Sequence, residues 1–361
     1  MRTTRTLQLG PLQIGGGAPV SVQSMTKTAT TDTAATLAQI ADLAAAGCEV
    51  VRVAVPDRAA AAALTRLVAG SPLPLVADVH FDYRLALAAI DAGVAGLRIN
   101  PGNLGRPVRA RAVARAAAAA ATVIRVGINA GSLESGLLEE CGGDLSAAMA
   151  LSARRCCALL EDAGCLALKV SLKASDVRTT VAANRRFAAA TDYPLHLGIT
   201  EAGPPALGTV KSAMGIGALL LEGIGDTLRV SLTADPVQEV RVGYRILAAA
   251  GRRRQGPEII SCPTCGRTRI ALLPLVEVVE DEARQLQCRG MDLSARRIAV
   301  MGCAVNGPGE ARQADLGVAG GDGWGVLFRH GTVVRRVPEA ELAAALRAEM
   351  RALAQEGTEA S

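Results

Sequence analysis

Eight short apolar runs, each followed by an Ala-rich stretch of helical period, fill the first 250 residues and leave few folds open to the chain. The runs are 20–25, 49–55, 73–79, 95–100, 123–129, 165–171, 194–200 and 227–232. Helical patterns follow at 33–46, 58–69, 83–92, 108–121, 145–163, 177–190, 209–221 and 236–250. Strands alternating with helices of this length predict a parallel sheet. Eight βα units over some 250 residues have the size of a closed (β/α)8 TIM barrel. An open doubly wound sheet is the alternative. Helix boundaries agree with the division. Asp32, Asp176 and the Asp235-Pro236 pair stand where N-caps belong. Gly47, Gly93 and Gly164 follow helices where a left-handed C-cap is expected. Half of the residues are hydrophobic but only 2% are aromatic, so Val, Leu, Ile and Ala must build the core.

The rhythm changes after the polar stretch 251–257, which reads as a linker ending in Gly256-Pro257. Short strand candidates follow at 258–261, 297–301, 316–319, 325–329 and 333–337. Helical patterns cover 270–287, broken or bent around Pro274, and 339–354. The expected organisation is therefore a TIM-barrel substrate-binding domain over 1–250, a linker, and a small α+β domain over 258–361. Residues 1–20 are polar and Gly-rich, without the apolar core of a secretory signal. No run of 18 apolar residues predicts a membrane span. Nine cysteines, an odd number without such a signal, suit a reducing compartment, most simply a bacterial cytoplasm. A net charge of +5 with few aromatics argues against a nucleic-acid module.

Active sites of such barrels lie at the C-terminal strand ends. Those ends carry a run of cations. Arg52, Arg98, Arg125, Lys169 and Arg229 lie within predicted strands, and Lys211 falls in the first predicted turn of the helix after strand seven. A lone cation in a strand buried on both faces is costly unless paired. Each has an ordinary reading as half of an ion pair, but several on one rim predict a shared anion. Arginine's planar fork suits phosphate, and Lys211 would gain from its helix N-terminus. A phosphorylated or diphosphorylated substrate follows. His80 and His196 are either hydrogen-bonded structure or catalysts. Glu201 is either a counter-ion or a proton donor, and Asp78 and Asp226 read as counter-ions or caps.

The second domain carries Cys262-Pro-Thr-Cys265 and, 38 residues on, Cys303-Ala-Val-Asn-Gly-Pro-Gly-Glu310. Three thiolates are one short of the four that hold an iron–sulfur cluster or a structural zinc. Glu310 is a candidate oxygen ligand for the remaining iron. Zinc, a redox dithiol and unrelated buried cysteines compete with the cluster. Zinc lacks a second close pair, since His330 is the one later histidine; a dithiol has no use for Cys303 and its glycine loop. The remaining cysteines, 48, 141, 156, 157, 165 and 288, read as small core residues, with Cys288 a possible spare ligand.

Nine segments carry a resemblance that spans nearly the whole chain in order. They are 18–26 (APVSVQSMT), 74–84 (PLVADVHFDYR), 97–103 (LRINPGN), 125–134 (RVGINAGSLE), 169–176 (KVSLKASD), 195–203 (LHLGITEAG), 222–232 (EGIGDTLRVSL), 262–266 (CPTCG) and 302–311 (GCAVNGPGEA). The chain resembles the bacterial 4-hydroxy-3-methylbut-2-en-1-yl diphosphate synthases of the non-mevalonate isoprenoid pathway. The resemblance implies reductive opening and dehydration of 2-C-methyl-D-erythritol 2,4-cyclodiphosphate. It implies a 4Fe-4S cluster on Cys262, Cys265, Cys303 and Glu310, fed by flavodoxin or ferredoxin. A homodimer is implied too, the cluster domain of one subunit closing over the barrel mouth of the other. With it, the expected substrate-binding residues are Arg52, His80, Arg98, Asn100, Arg125, Asn129, Lys169, Lys211, Arg229 and Ser231. Glu201 is the candidate proton donor, and Glu310 the exchangeable cluster ligand, a carboxylate being a weaker ligand than a thiolate.

Overall fold

The computed structural model describes residues 2–303 and 313–359. Two compact units meet in the chain between Arg253 and Arg254. The first opens with a hairpin, β1 (Leu7–Leu9) and β2 (Leu12–Ile14). Eight parallel strands follow: β3 (Ser21–Met25), β4 (Val50–Ala54), β5 (Leu75–Asp78), β6 (Gly96–Ile99), β7 (Val123–Asn129), β8 (Leu168–Lys173), β9 (His196–Leu197) and β10 (Thr227–Leu228). Helices α1 (Thr33–Ala45), α2 (Arg58–Gly70), α3 (Tyr83–Asp91) and α4 (Pro107–Ala119) fill the first four connections. The fifth holds α5 (Leu137–Glu140) and α6 (Leu145–Glu161). After β8, β9 and β10 come α7 (Val177–Ala190), α8 (Pro205–Leu221) and α9 (Pro236–Ala249). Strands β3 to β8 pair in chain order, and β3 also pairs with β10, which pairs with β9. A bridge between Val170 and Leu195 brings β8 to β9 and completes the ring. The fold is thus the (β/α)8 barrel expected, not the open sheet.

Strand alternation sorts the side chains. Val51 and Val53 of β4, and Ile124, Val126 and Ile128 of β7, face outward into a core shared with Leu64, Leu67 and Val113 of the helices. Each such burial stabilises the fold by roughly 1.5–3 kcal/mol. The inward set begins with Val50, Val76 and Val123, which pack against Leu7, Leu9 and Ile14 of the hairpin. Gly96 is needed there, because a Cβ would stand 2.8 Å from Leu9 Cδ1. Thr4 Oγ1 donates to Asp226 at 2.8 Å and Arg5 N–H to Asp192 O at 2.9 Å. The hairpin therefore closes the N-terminal end of the barrel, a role the polar, Gly-rich lead does not announce.

Two further details differ from expectation. Strands seven and eight were expected over 194–200 and 227–232, yet β9 and β10 keep two residues each. Beyond β9 the backbone leaves the ladder for a turn in which Glu201 has φ +52°. The expected linker 251–257 begins as part of the barrel: Arg252 Nε donates to Leu220 O at 2.9 Å, and Arg253 pairs with Glu49 at 2.9 Å.

The second unit is a five-stranded sheet with helices on one face. Strands β11 (Glu258–Ser261), β12 (Arg297–Met301) and β13 (Leu316–Gly321) run parallel; β14 (Trp324–Arg329) and β15 (Thr332–Pro338) are antiparallel. Helices α10 (Leu272–Cys288) and α11 (Leu342–Glu359) bury Leu275, Val279, Leu346 and Leu353 against Ile298, Val300 and Val318. Pro274 does not break α10, because it lies in the first turn, where its missing N–H has no intrahelical partner to lose. No helix among the described residues is long and apolar enough to cross a membrane.

Candidate active site

Above its apolar floor the barrel is filled with charge. Asp78, Arg98, Arg125 and Lys169 are register partners on four neighbouring strands, β5 to β8. Arg52 stands opposite Val76 on one side and Met25 on the other. Arg98 Nη1 lies 3.4 Å and Arg52 Nε 3.6 Å from the Asp78 carboxylate. Arg125 Nη1 donates to Ser171 Oγ at 2.6 Å, and Arg52 Nη2 approaches Met25 Sδ at 3.0 Å. Next to β10, Arg229 pairs with Glu239 of α9 at 3.2 Å, and Lys27 Nζ stands 3.4 Å from the same carboxylate. Leu232 N–H and Ser24 Oγ donate to Glu239 as well. Two glycines make room for these long side chains. A Cβ on Gly127 would meet Arg98 Nε at 2.6 Å, and one on Gly198 would meet Lys173 Nζ at 2.6 Å.

Carboxylates are outnumbered in this interior. Arg125 is 2% and Lys169 1% exposed, and His196 is fully enclosed. Arg98 Nε, Arg125 Nε and Nη2, Lys169 Nζ, His196 Nε2 and both amide atoms of Gln23 have no hydrogen-bond partner among the described residues. Burial alone would raise the Asp78 pKa, but Arg52, His80 and Arg98 together hold it well below the usual carboxylate range. Burial, countered by Asp78 and aggravated by Arg229 and Arg98, pushes Arg52 down to about 10. Burial and Arg125 push Lys169 down to about 7, with Asp226 resisting. Burial and the surrounding cations likewise lower Arg125, Lys173 and His196. Arg98, Arg125 and Lys169 thus leave buried donors without acceptors, surroundings that favour an anion.

The remaining sequence-selected residues have various places. His80 is exposed, with Arg98 Nη1 3.1 Å from its ring nitrogens. Asn100 is buried and caps a short 3-10 turn, accepting from Gly102 N–H at 3.1 Å. Asn129 ends β7 opposite Lys173. Ser231 is half-buried beyond β10. Glu201 is exposed in the turn after β9, and its left-handed backbone costs a non-glycine residue roughly 1–3 kcal/mol. The Lys211 expectation needs correction. Helix α8 starts at Pro205, so Lys211 lies in its second turn, past the reach of the helix N-terminus. Two residues went unselected. Lys173 is buried at the end of β8, on the same side as Lys169 and Ser171; a strand assumed to stop at Ser171 hides it. Glu239 is buried in the first turn of α9, where sequence suggests only a dipole-compensating acid.

In the second unit, β11 and β12 are parallel neighbours, so Cys262 and Cys303 leave the sheet at the same edge. Gly302 N–H donates to Cys262 Sγ at 3.3 Å, and Arg269 N–H to Gly302 O at 2.9 Å, stitching the two cysteine loops together. Cys265 is exposed, and hydrogen bonds from the backbone N–H and guanidinium of Arg267 draw its thiol below its ordinary pKa. Burial instead pushes Cys48 and Cys156 up to about 12 and Cys165 to about 11, which keeps them as inert thiols. Cys288 is exposed and Cys141 half-buried, so neither is the core residue expected; both sit at helix ends, where the packed face runs out. Among the described residues no three His, Cys, Asp or Glu side chains converge as a single metal ion requires. Glu310 lies outside the described residues.

Residues 4–244 match the GcpE TIM-barrel domain, and residues 258–352 match the GcpE protein C-terminal domain. The chain belongs to the GcpE family. A GcpE relative from Geobacter sulfurreducens, called 4-hydroxy-3-methylbut-2-en-1-yl diphosphate synthase (flavodoxin), is 54% identical over 96% of this chain and 97% of its own. One of the same name from Lawsonia intracellularis is 53% identical over 93% and 92%. Among solved structures, the Bacillus subtilis spore coat polysaccharide biosynthesis protein spsE superposes with a TM-score of 0.50 at 10% identity. It covers 68% of this chain and 73% of its own, a likeness of fold alone. GcpE membership implies an iron–sulfur enzyme. The donor set fits that group. It offers soft sulfur ligands at one sheet edge, a backbone N–H already aimed at one sulfur, and a cation that favours thiolate at another.

Proposed function

We propose that this protein converts 2-C-methyl-D-erythritol 2,4-cyclodiphosphate into (E)-4-hydroxy-3-methylbut-2-enyl diphosphate in the non-mevalonate pathway. Ring opening breaks a carbon–oxygen bond to phosphate, a hydroxyl leaves as water, and two electrons and two protons are consumed. The observation that carries the reading is the buried cationic ladder Arg98–Arg125–Lys169 at the barrel mouth, with its unsatisfied donors. Arg52, Arg98, Arg125 and Arg229 hold the diphosphate, with Lys169 and Lys173 beneath and beside it. His80, Asn100, Asn129, Lys211 and Ser231 complete the rim. The interior excludes water and strengthens these contacts. In this reading Glu201, exposed in the turn after β9, gives a proton to the departing hydroxyl.

Cys262, Cys265, Cys303 and Glu310 would hold a 4Fe-4S cluster. When bound, it supplies the electrons one at a time, drawn from flavodoxin as the relatives' names suggest. The reading extends to a cytoplasmic homodimer. Iron and sulfide analysis of oxygen-protected protein, with substrate binding measured beside it, tests the proposal. Wild-type protein should hold iron and sulfide in equal amounts. Cys303→Ala should lose both, and Glu310→Ala should keep most of the iron but lose turnover. Arg125→Ala should bind the cyclic diphosphate at least about 30-fold more weakly, as removal of a buried charge contact does. Zinc without sulfide would sink the redox reading.

A further inference from the structure

We propose that the cyclic diphosphate draws protons onto Lys169 and Lys173 as it binds, so that part of the site's positive charge is installed by the ligand. The inference rests on the substrate reading above and concerns how that substrate is held.

The two lysines occupy alternate inward positions of β8, with Ser171 between them. Both are buried, and Lys169 Nζ has no hydrogen-bond partner among the described residues. Arg125 of β7 stands opposite Lys169, and Arg125, Arg52 of β4, Arg98 of β6 and Arg229 just past β10 all bear on Lys173. His196 on β9 is near enough for the charge of both lysines to lower its own pKa. Nearby carboxylates are already engaged. Asp78 of β5 pairs with Arg52 and Arg98, and Glu239 of α9 with Arg229 and Lys27. Asp226, just before β10, accepts from Thr4 Oγ1 and Leu195 N–H. Among the described residues no carboxylate forms an ion pair with either ammonium, and Asp226 only partly offsets the lowering of Lys169.

Burial and Arg125 push Lys169 down to about 7, and burial with four guanidiniums pushes Lys173 well below its ordinary value. Guanidiniums start more than two units higher and keep their protons in such surroundings. Without ligand, therefore, burial among cations biases both lysines toward the neutral amine, Lys169 with a pKa of about 7. A cyclic diphosphate has one strongly acidic hydroxyl on each phosphorus and none that titrates near neutrality. Bound beside Arg125 it replaces repulsion by attraction, which favours the ammonium form of both lysines. Any proton gained on binding is then gained by the protein.

Isothermal titration of the intact, oxygen-protected protein with the cyclic diphosphate at pH 8, in Tris and in HEPES, reads this directly. The two buffers differ in ionisation enthalpy, so proton uptake appears as a difference in observed heat. Wild type should take up between about 0.5 and 2 protons per site. Lys169→Met and Lys173→Met should each take up fewer, and the double variant none. Independently of any variant, the wild-type Kd should weaken by up to about tenfold per pH unit from pH 7 to 9 for each linked proton. Heat that is identical in the two buffers, a Kd flat with pH, or undiminished uptake in the double variant overturns the inference. Absence of any binding by wild-type protein overturns the substrate reading, and this inference with it.

Discussion

Asp78 carries the ion pairs of two guanidiniums, the buried Arg98 and the half-buried Arg52, which lie on either side of it. Asp78→Asn keeps the shape and removes the charge, leaving both cations short of a counter-ion. The expected cost is about 3–5 kcal/mol of folding stability, read as a lower urea midpoint at pH 7. The sign with pH follows from the lowered carboxyl pKa. Its contribution is complete above the unfolded value of about 4 and is lost as pH falls through the depressed folded value. Wild type and variant should therefore differ at neutrality and converge in strong acid. At this scale the sequence is an uneven guide. Arg52, Arg98, Arg125 and Lys169 can be placed inside the barrel because a strand buried on both faces offers a cation nowhere else to go. Lys173 escapes because strand ends are soft in sequence. Glu239 escapes because nothing in helical spacing says that a first-turn acid reaches a strand-borne arginine. The left-handed backbone of Glu201 has no sequence signature at all.

Among the elements, the N-terminal hairpin is the one least visible beforehand. Its strands are three residues long, too short for a period-two pattern to stand out, and glycines surround them. Its packing is nonetheless complete: Leu9 is fully buried against the inward valines of the barrel floor. Leu9→Ala should cost about 2–5 kcal/mol, seen as a lowered Tm with unchanged helical ellipticity before the transition. The eight βα units were legible because apolar runs and Ala-rich helices differ in period and because aspartates mark the helix starts. Asp32, Asp176 and Asp235 each accept the capping hydrogen bond in the structure. Strands β9 and β10 were over-extended, since an apolar run says where a segment is buried and not where its ladder stops.

For the whole molecule, the two units rest on different supports. The barrel is held by a large aliphatic core. The smaller unit has its cysteine loops stitched at one sheet edge and would draw added stability from bound iron and sulfide. The chain's single tryptophan, Trp324, lies in β14 of that unit, under the guanidinium of Arg336 at 3.7 Å. Its fluorescence therefore reports the smaller unit alone. Stripping iron with a chelator should lower the transition seen by tryptophan, while the loss of barrel ellipticity stays near its original temperature; equal shifts in both would show that iron does not act locally. The hairpin across the barrel floor has a last consequence. Among the described residues this end of the barrel is packed shut, so substrate and product would share the opposite end, and product would have to leave before another substrate enters.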